Sequence, residues 1–355
     1  MTPKIPIQNL YFIFCYAWNR IEEGQAVAVG GTASPEIADL FATVLINGTK
    51  HLLRRGIDRG YVLRQEDLSR LRGRIQLTQS FDQISRRTPR LFCEFDELQK
   101  DVLHNQILKS TIARLSKVNA LDPRLAHELR LVHRQLDDIS EVRLSRSLFH
   151  QVQIHRNNAY YDFLLKVCEL VFEVTLPESG GDRYRFTEFL RDERKMARVF
   201  EDFVRNFYRL EQNKFDVLPL QLNWDATADI GSDLGLLPVM RTDVHLRGNQ
   251  RNIIIDTKYY GDAFQEHFGK VSIRSENLYQ LFSYVKNAEA HGSEYSNVEG
   301  MLLYPAVDES IDARFVIQGH AIQVRTIDLD QPWPRIRRDL LDLLYRQERS
   351  QSALA

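Results

Sequence analysis

The sequence predicts a protein of mixed class in two domains, an α+β domain over about residues 1–157 followed by an α/β core over about 158–355. Three observations carry that expectation. A chain of 355 residues is long enough for two domains that each bury a core. In the first half, helical apolar spacing gives way to short strand-like pieces and then returns. In the second half a helix, central strands, a second helix and further strands follow in the order of an α/β core.

The elements follow in order. Ile7, Leu10, Tyr11, Phe14, Cys15, Trp18 and Ile21 recur at spacings of three and four and predict a helix near 7–23, its aromatic stripe belonging to the core. Pro35 opens a second helix through about Arg55, with Gly56 as its stop. Tyr61–Leu63, Ile75–Leu77 and Leu91–Phe95 read as strands, and helices follow at about 98–117 and 122–137. Asn157-Asn158 precedes a helix from Tyr160 to about Thr175, and Pro177 to Gly181 reads as a loop. A helix at about 190–211 turns Met196, Val199, Phe200, Phe203, Val204 and Phe207 inward. Strands are then expected at 217–220, 239–246 and 252–259, a helix from Ser275 to about Glu289, strands at 300–304, 313–318 and 321–328, and a terminal helix from near Pro334.

Composition bounds the function. Hydrophobic residues at 43% and charged residues at 27% are ordinary for a soluble globular protein. A net charge of −1 means that any nucleic-acid-binding face must be a local patch. No apolar run reaches the ~18 residues of a membrane span, and Met1 to Pro6 lacks the order of a signal peptide. Cys15, Cys93 and Cys168 are scattered, which predicts buried free thiols and a reducing, cytoplasmic setting.

The chemistry concentrates in Ile253-Ile254-Ile255-Asp256-Thr257-Lys258. Three β-branched residues mark a strand buried on both faces. Asp256 and Lys258, two apart, then share one side of it. Such charges at the end of a buried strand are costly unless they are paired or bind something. Asp243 lies in a second strand that can pair with the first in a hairpin around Gly248-Asn249, so the three side chains can converge. Two carboxylates suit a hard cation such as Mg²⁺, and a lysine beside it can orient water and offset charge on a phosphate. A structural Asp–Lys pair at a strand end is the other reading of the same residues. Gln280 and Tyr284 share a helical face downstream and can contact DNA or water around the cation. Glu201 is either a further acidic ligand or a solvated charge beside Arg205.

Taken together, Asp243, Asp256-x-Lys258 and Gln280-x-x-x-Tyr284 resemble the PD-(D/E)xK nuclease superfamily in its RecB-like branch. More narrowly, the chain resembles the nuclease-subunit family of McrBC modification-dependent (type IV) restriction systems. That likeness runs from Ile5-Pro6-Ile7-Gln8-Asn9-Leu10-Tyr11 and Tyr16-Ala17-Trp18 through Gly73-Arg74-Ile75, Phe95-Asp96-Glu97 and Asn105 to Thr111. It continues through Asn223-Trp224-Asp225-Ala226, Leu236-Leu237-Pro238, Asp256 to Tyr260, Asn277 to Leu281 and Tyr304-Pro305. Thr242 stands where the superfamily name places a proline, and the acids and the lysine are intact. The resemblance implies a restriction-endonuclease-like α/β core in which Asp243, Asp256 and Lys258 are catalytic. It implies Mg²⁺ at the two aspartates, with Mn²⁺ able to substitute. It also implies a McrB-like hexameric AAA+ GTPase as partner, docked by the N-terminal domain, with methylated double-stranded DNA as substrate and a dimer of this subunit bridging two hexamers. GTP would be used by that partner. The residues agree, since Gly269-Lys270-Val271 is the nearest approach to a phosphate loop and lacks its first glycine and its Ser/Thr. A non-cutting activator of such a GTPase, or a stand-alone nuclease of the superfamily, are the alternatives.

Other signals are weaker. His127 and His133 are six apart and cannot chelate one metal from a helix. Residues 50–90 carry eleven lysines and arginines against four acids, a patch suited to phosphates or an acidic partner, or simply a solvated face. Within it Arg74, read as lying in a loop after Gly73, is the candidate contact for partner or DNA. Glu94, Asp96, Glu97 and Asp101 read as helix-capping and surface charge before the 98–117 helix.

Overall fold

The computed structural model describes residues 5–26, 37–85, 90–153, 159–178, 183–186, 192–249, 251–259, 264–267, 270–292, 295–306 and 310–352. Pro35, Arg86, Arg87, Asn157-Asn158, Ser179 to Gly181 and Gly269 lie outside the described residues. Contacts divide the chain into two compact units, residues 25–187 and residues 1–24 with 188–355. This division departs from the 1–157/158–355 reading at both borders, because the N-terminal helix packs with the later segment and the helix after 158 packs with the earlier one.

Helix α1 (Ile7–Ala17) ends sooner than its apolar spacing suggests, and α2 (Ile21–Ala26) follows separately. Asn19 adopts φ 55°, and Asn19 N–H and Arg20 N–H bond back to the carbonyls of Tyr16 and Cys15 at 2.8 Å each. This pattern stops a helix with a left-handed residue, and asparagine tolerates that conformation better than most.

In the 25–187 unit, α3 (Ile37–Arg55) is followed by β1 (Gly60–Leu68), β2 (Arg74–Ile75), α4 (Leu77–Ser85) and β3 (Leu91–Gln99). The strands form an antiparallel sheet in the order β1-β3-β2. Strand β1 runs through Arg64, Gln65, Glu66 and Asp67 because β3 pairs with it along its full length. Asp96 and Glu97 therefore stand in β3, so the helix-capping reading of them is corrected. Arg74 lies in β2, opposite Glu94 on β3, and not in a loop. Next come α5 (Leu103–Leu115), α6 (Pro123–Arg134), α7 (Arg146–Gln151) and α8 (Ala159–Val174), ending in the hairpin β4 (Thr175–Pro177) and β5 (Tyr184–Phe186). Helices α4 and α7 went unseen in the sequence.

The other unit continues with α9 (Glu193–Glu211), β6 (Asp216–Leu218), β7 (Gln221–Leu222), β8 (Met240–Arg241), β9 (Val244–Arg247) and β10 (Asn252–Thr257). Then follow β11 (Phe264–His267), β12 (Lys270–Ile273), α10 (Ser275–Glu289), β13 (Glu299–Pro305), β14 (Asp312–Ile317), β15 (His320–Ile327) and α11 (Trp333–Ser352). Its six-stranded sheet has the order β14-β15-β13-β10-β9-β6, with β10, β13 and β15 parallel. Ile253, Ile254 and Ile255 are fully buried on β10, as the triple isoleucine predicts, and α9 and α10 both pack on that strand. Helix α9 is buried through Met196, Phe200, Phe203, Val204 and Phe207, and Tyr16 of α1 meets the last two rings of that face.

Two strand expectations break at identifiable residues. Pro219 separates β6 from β7, as its missing N–H would predict. The expected 239–246 strand splits at Thr242-Asp243, where Thr242 exchanges hydrogen bonds with Leu220 in the small β7–β8 sheet. The chain thus changes sheets at Asp243.

Candidate active site

Sheet register brings the candidate residues together. Strands β9 and β10 pair antiparallel up to Val244↔Ile255, so Asp243 comes abreast of Asp256 at the point where β9 leaves the sheet. Asp243 is tied down from both sides. Its Oδ2 accepts from the Thr257 backbone N–H at 2.7 Å and from the Thr257 hydroxyl at 2.8 Å. Its carbonyl accepts from Arg205 Nε on α9 at 2.9 Å.

Asp256 is 1% exposed. Lys258 Nζ lies 2.8 Å from its Oδ2 as an ion pair. Neither carboxylate oxygen receives an aligned hydrogen bond among the described residues. Burial pushes the Asp256 carboxyl up to about 7, against the downward pull of Lys258 and with help from the Asp243 and Glu201 charges. A carboxylate in that condition favours a bound cation, and the Asp243 charge is close enough to act on it. The donor set of two carboxylates, Asp256 buried and Asp243 partly exposed, has the oxygen chemistry that suits a hard divalent ion. No group of three or more His, Cys, Asp or Glu is gathered as a metal cage among the described residues.

Lys258 also donates to Gln280 Oε1 on α10 at 2.9 Å, and Gln280 Nε2 reaches the Tyr284 hydroxyl at 2.8 Å. The two helix residues singled out by their four-residue spacing therefore join the site through the lysine. Burial raises the Tyr284 hydroxyl, with the Gln280 bond opposing. Glu201 on α9 is half-buried and pairs with Arg205. Burial and then the Asp243 charge raise its carboxyl, which places it at the edge of the same electrostatic cluster. Of the two sequence readings of Glu201, the structure shows the charge beside Arg205.

Arg74 lies in the other unit, exposed on β2. Gly73 before it has φ 67°, and a Cβ there would sit 2.2 Å from the Glu94 carbonyl oxygen. The basic run around it is partly neutralised: Arg64 and Arg72 meet Glu97, Arg90 meets Asp67, and Lys50 meets Glu128. Thr257 and Arg205 are the site residues that sequence reasoning passed over. Thr257 stood only as the filler of Asp-x-Lys, and Arg205 only as a neighbour of Glu201. Cys15, Cys93 and Cys168 are free and buried. No helix among the described residues is long and apolar enough to cross a membrane.

The model of a family described as McrBC 5-methylcytosine restriction system component matches residues 6–305. A relative from Escherichia coli (strain K12), the type IV methyl-directed restriction enzyme EcoKMcrBC, is 32% identical over 341 residues, covering 96% of this chain and 97% of its own length. Among solved structures, a half-complex from a tetradecameric assembly of Thermococcus gammatolerans McrB AAA+ hexamers with bound McrC matches with TM-score 0.59 and 14% identity. That match covers 95% of this chain and 76% of the other. At that identity the likeness concerns the fold alone.

Proposed function

This chain belongs to the family of McrBC 5-methylcytosine restriction system components, and from that premise we propose that it is the Mg²⁺-dependent endonuclease subunit of a GTP-dependent complex that cuts methylated double-stranded DNA. The observation that carries the reading is Asp256, a buried carboxylate without aligned hydrogen-bond donors, set between Lys258 and a second aspartate. The six-stranded sheet that carries it is taken as a PD-(D/E)xK-type core, with the 25–187 unit supplying the docking surface for a McrB-like hexameric AAA+ GTPase. The names of the relatives favour that partner, one being a methyl-directed restriction enzyme and another a structure of McrC bound to McrB hexamers. Two copies of this chain bridging two hexamers extend the same reading.

In this mechanism Asp243 and Asp256 would hold the cation, which when bound would supply polarisation of the scissile phosphodiester and a more acidic water. The chain's own residues do the rest. Lys258, held by Gln280, orients the attacking water and offsets charge building on the phosphate oxygens. Tyr284 fixes the amide of Gln280, and Glu201 adds negative potential from α9. Arg74 is assigned to contact with the partner or with DNA.

One assay tests the reading. With the partner GTPase and GTP present, Asp256→Ala should abolish cleavage of a methylated plasmid while stimulation of the partner's GTPase survives. Persistent cleavage would overturn the catalytic assignment. Cleavage by the purified chain without partner or GTP would point to a stand-alone nuclease.

A further inference from the structure

We propose that Thr257, the middle residue of Asp-x-Lys, is a positioning residue that aims the Asp243 carboxylate at the cation. The proposal rests on the nuclease reading above. Along β10, alternate backbone N–H groups point to opposite neighbours, and the N–H of Lys258, just past its end, bonds the Leu303 carbonyl of β13. The N–H of Thr257 therefore points the other way, toward β9. No β9 carbonyl is there to meet it. The chain has turned away at Thr242, whose bonds go to Leu220. A buried N–H without an acceptor is costly, and the Asp243 carboxylate replaces the missing carbonyl at 2.7 Å.

The Thr257 hydroxyl then adds a second bond to the same oxygen, at 2.8 Å. With both donors on Oδ2, no hydrogen bond among the described residues reaches Oδ1. One oxygen is locked by the sheet and the other is free to face a cation. Arg205 completes the clamp from α9. Its Nε holds the Asp243 carbonyl, while its other nitrogens are spent on Glu201 and Asp202. Three of the five N–H donors of the guanidinium are engaged in these bonds, and the one on Nε fixes main chain. The exchange of sheets at residue 242 is thus what converts an ordinary strand residue into an aimed ligand.

Thr257→Val removes the hydroxyl but keeps the shape, the β-branching and the backbone N–H. Thr257→Ser keeps the hydroxyl. The probe is Mn²⁺ binding to the full chain, followed by electron paramagnetic resonance, alongside the Mg²⁺ dependence of plasmid cleavage in the complete complex. Removing a group that orients a metal ligand typically costs about 10- to 100-fold in metal affinity. Thr257→Val should weaken Mn²⁺ binding at least tenfold and raise the Mg²⁺ midpoint in step, leaving the rate at saturating Mg²⁺ within a few-fold. Thr257→Ser should bind nearly as the parent does, and Arg205→Gln should weaken binding in the same sense as Thr257→Val. A Thr257→Val protein with parental Mn²⁺ affinity overturns the proposal, and so does one that loses thermal stability alone. If the parent chain itself neither binds Mn²⁺ nor cuts with its partner, the nuclease reading fails with it. That outcome is distinct from a working nuclease indifferent to Thr257.

Discussion

Lys258 and Gln280 are joined by a 2.9 Å hydrogen bond that crosses from the end of β10 to the middle of α10. The lysine is therefore held by two partners of different kinds, the charge of Asp256 and the amide of Gln280. Misplacing a reacting group by about 1 Å can cost on the order of 100-fold in rate. Gln280→Ala should slow single-turnover cleavage by roughly 10- to 100-fold without changing Mn²⁺ affinity. An unchanged rate would leave Gln280 with a packing role only.

Cation binding should show in stability as well as in activity. A ligand present at ten times its dissociation constant stabilises the native state by about 1.4 kcal/mol, or roughly 3–6 °C for a unit of this size. Adding Mg²⁺ to chelator-treated protein should raise the melting transition by that order. The rise should vanish in Asp256→Asn, and an equal rise in that variant would place the cation elsewhere.

His245 on β9 should make the protein acid-sensitive. It is buried, and burial pushes its pKa down from 6.5 to about 4. Because the folded value lies below the unfolded one, this stabilisation is complete above pH 6.5 and is lost as the pH falls toward 4. The loss is on the order of 3 kcal/mol. Urea unfolding of chelator-treated protein between pH 7 and 4 measures it, and His245→Phe should flatten the curve. A curve that stays steep in that variant would assign the acid sensitivity to other groups.

Gly73→Ala should disturb the edge on which Arg74 stands. The positive φ costs a non-glycine residue about 1–3 kcal/mol, and the clash with the Glu94 carbonyl adds to it. Faster amide exchange in β2 is the expected sign, with weaker stimulation of the partner's GTPase. Arg74→Ala should weaken stimulation without the exchange change. Full stimulation by both variants would remove Arg74 from the partner contact.

What could be read in the sequence was what depends on local pattern. The triple isoleucine announced a doubly buried strand, and two-residue spacing put Asp256 and Lys258 on one side of it. Four-residue spacing put Gln280 beside Tyr284. What could not be read depended on partners far away in the chain. Strand β1 continues through four polar residues only because β3 lies alongside it. The split at Thr242-Asp243 depends on Leu220, and Thr257 gains its role only once that split has occurred. Helix α4 was hidden because Ile75-Gln76-Leu77 also satisfies a strand pattern.

The pairing of α1 with α9 has a consequence for how the protein is made. Asn206 of α9 donates to the carbonyls of Tyr16 and Ala17, 190 and 189 positions earlier. A ribosome adding about 5–20 residues per second needs roughly 10–40 s to make the intervening stretch, and α1 waits that long for its docking helix. During that interval the apolar face of α1 is without its native cover, and the 25–187 unit is complete before it. Tags or truncations at the N-terminus therefore act on assembly of the unit that carries Asp243 and Asp256. They should be judged by the yield of that unit, not by that of its neighbour in sequence.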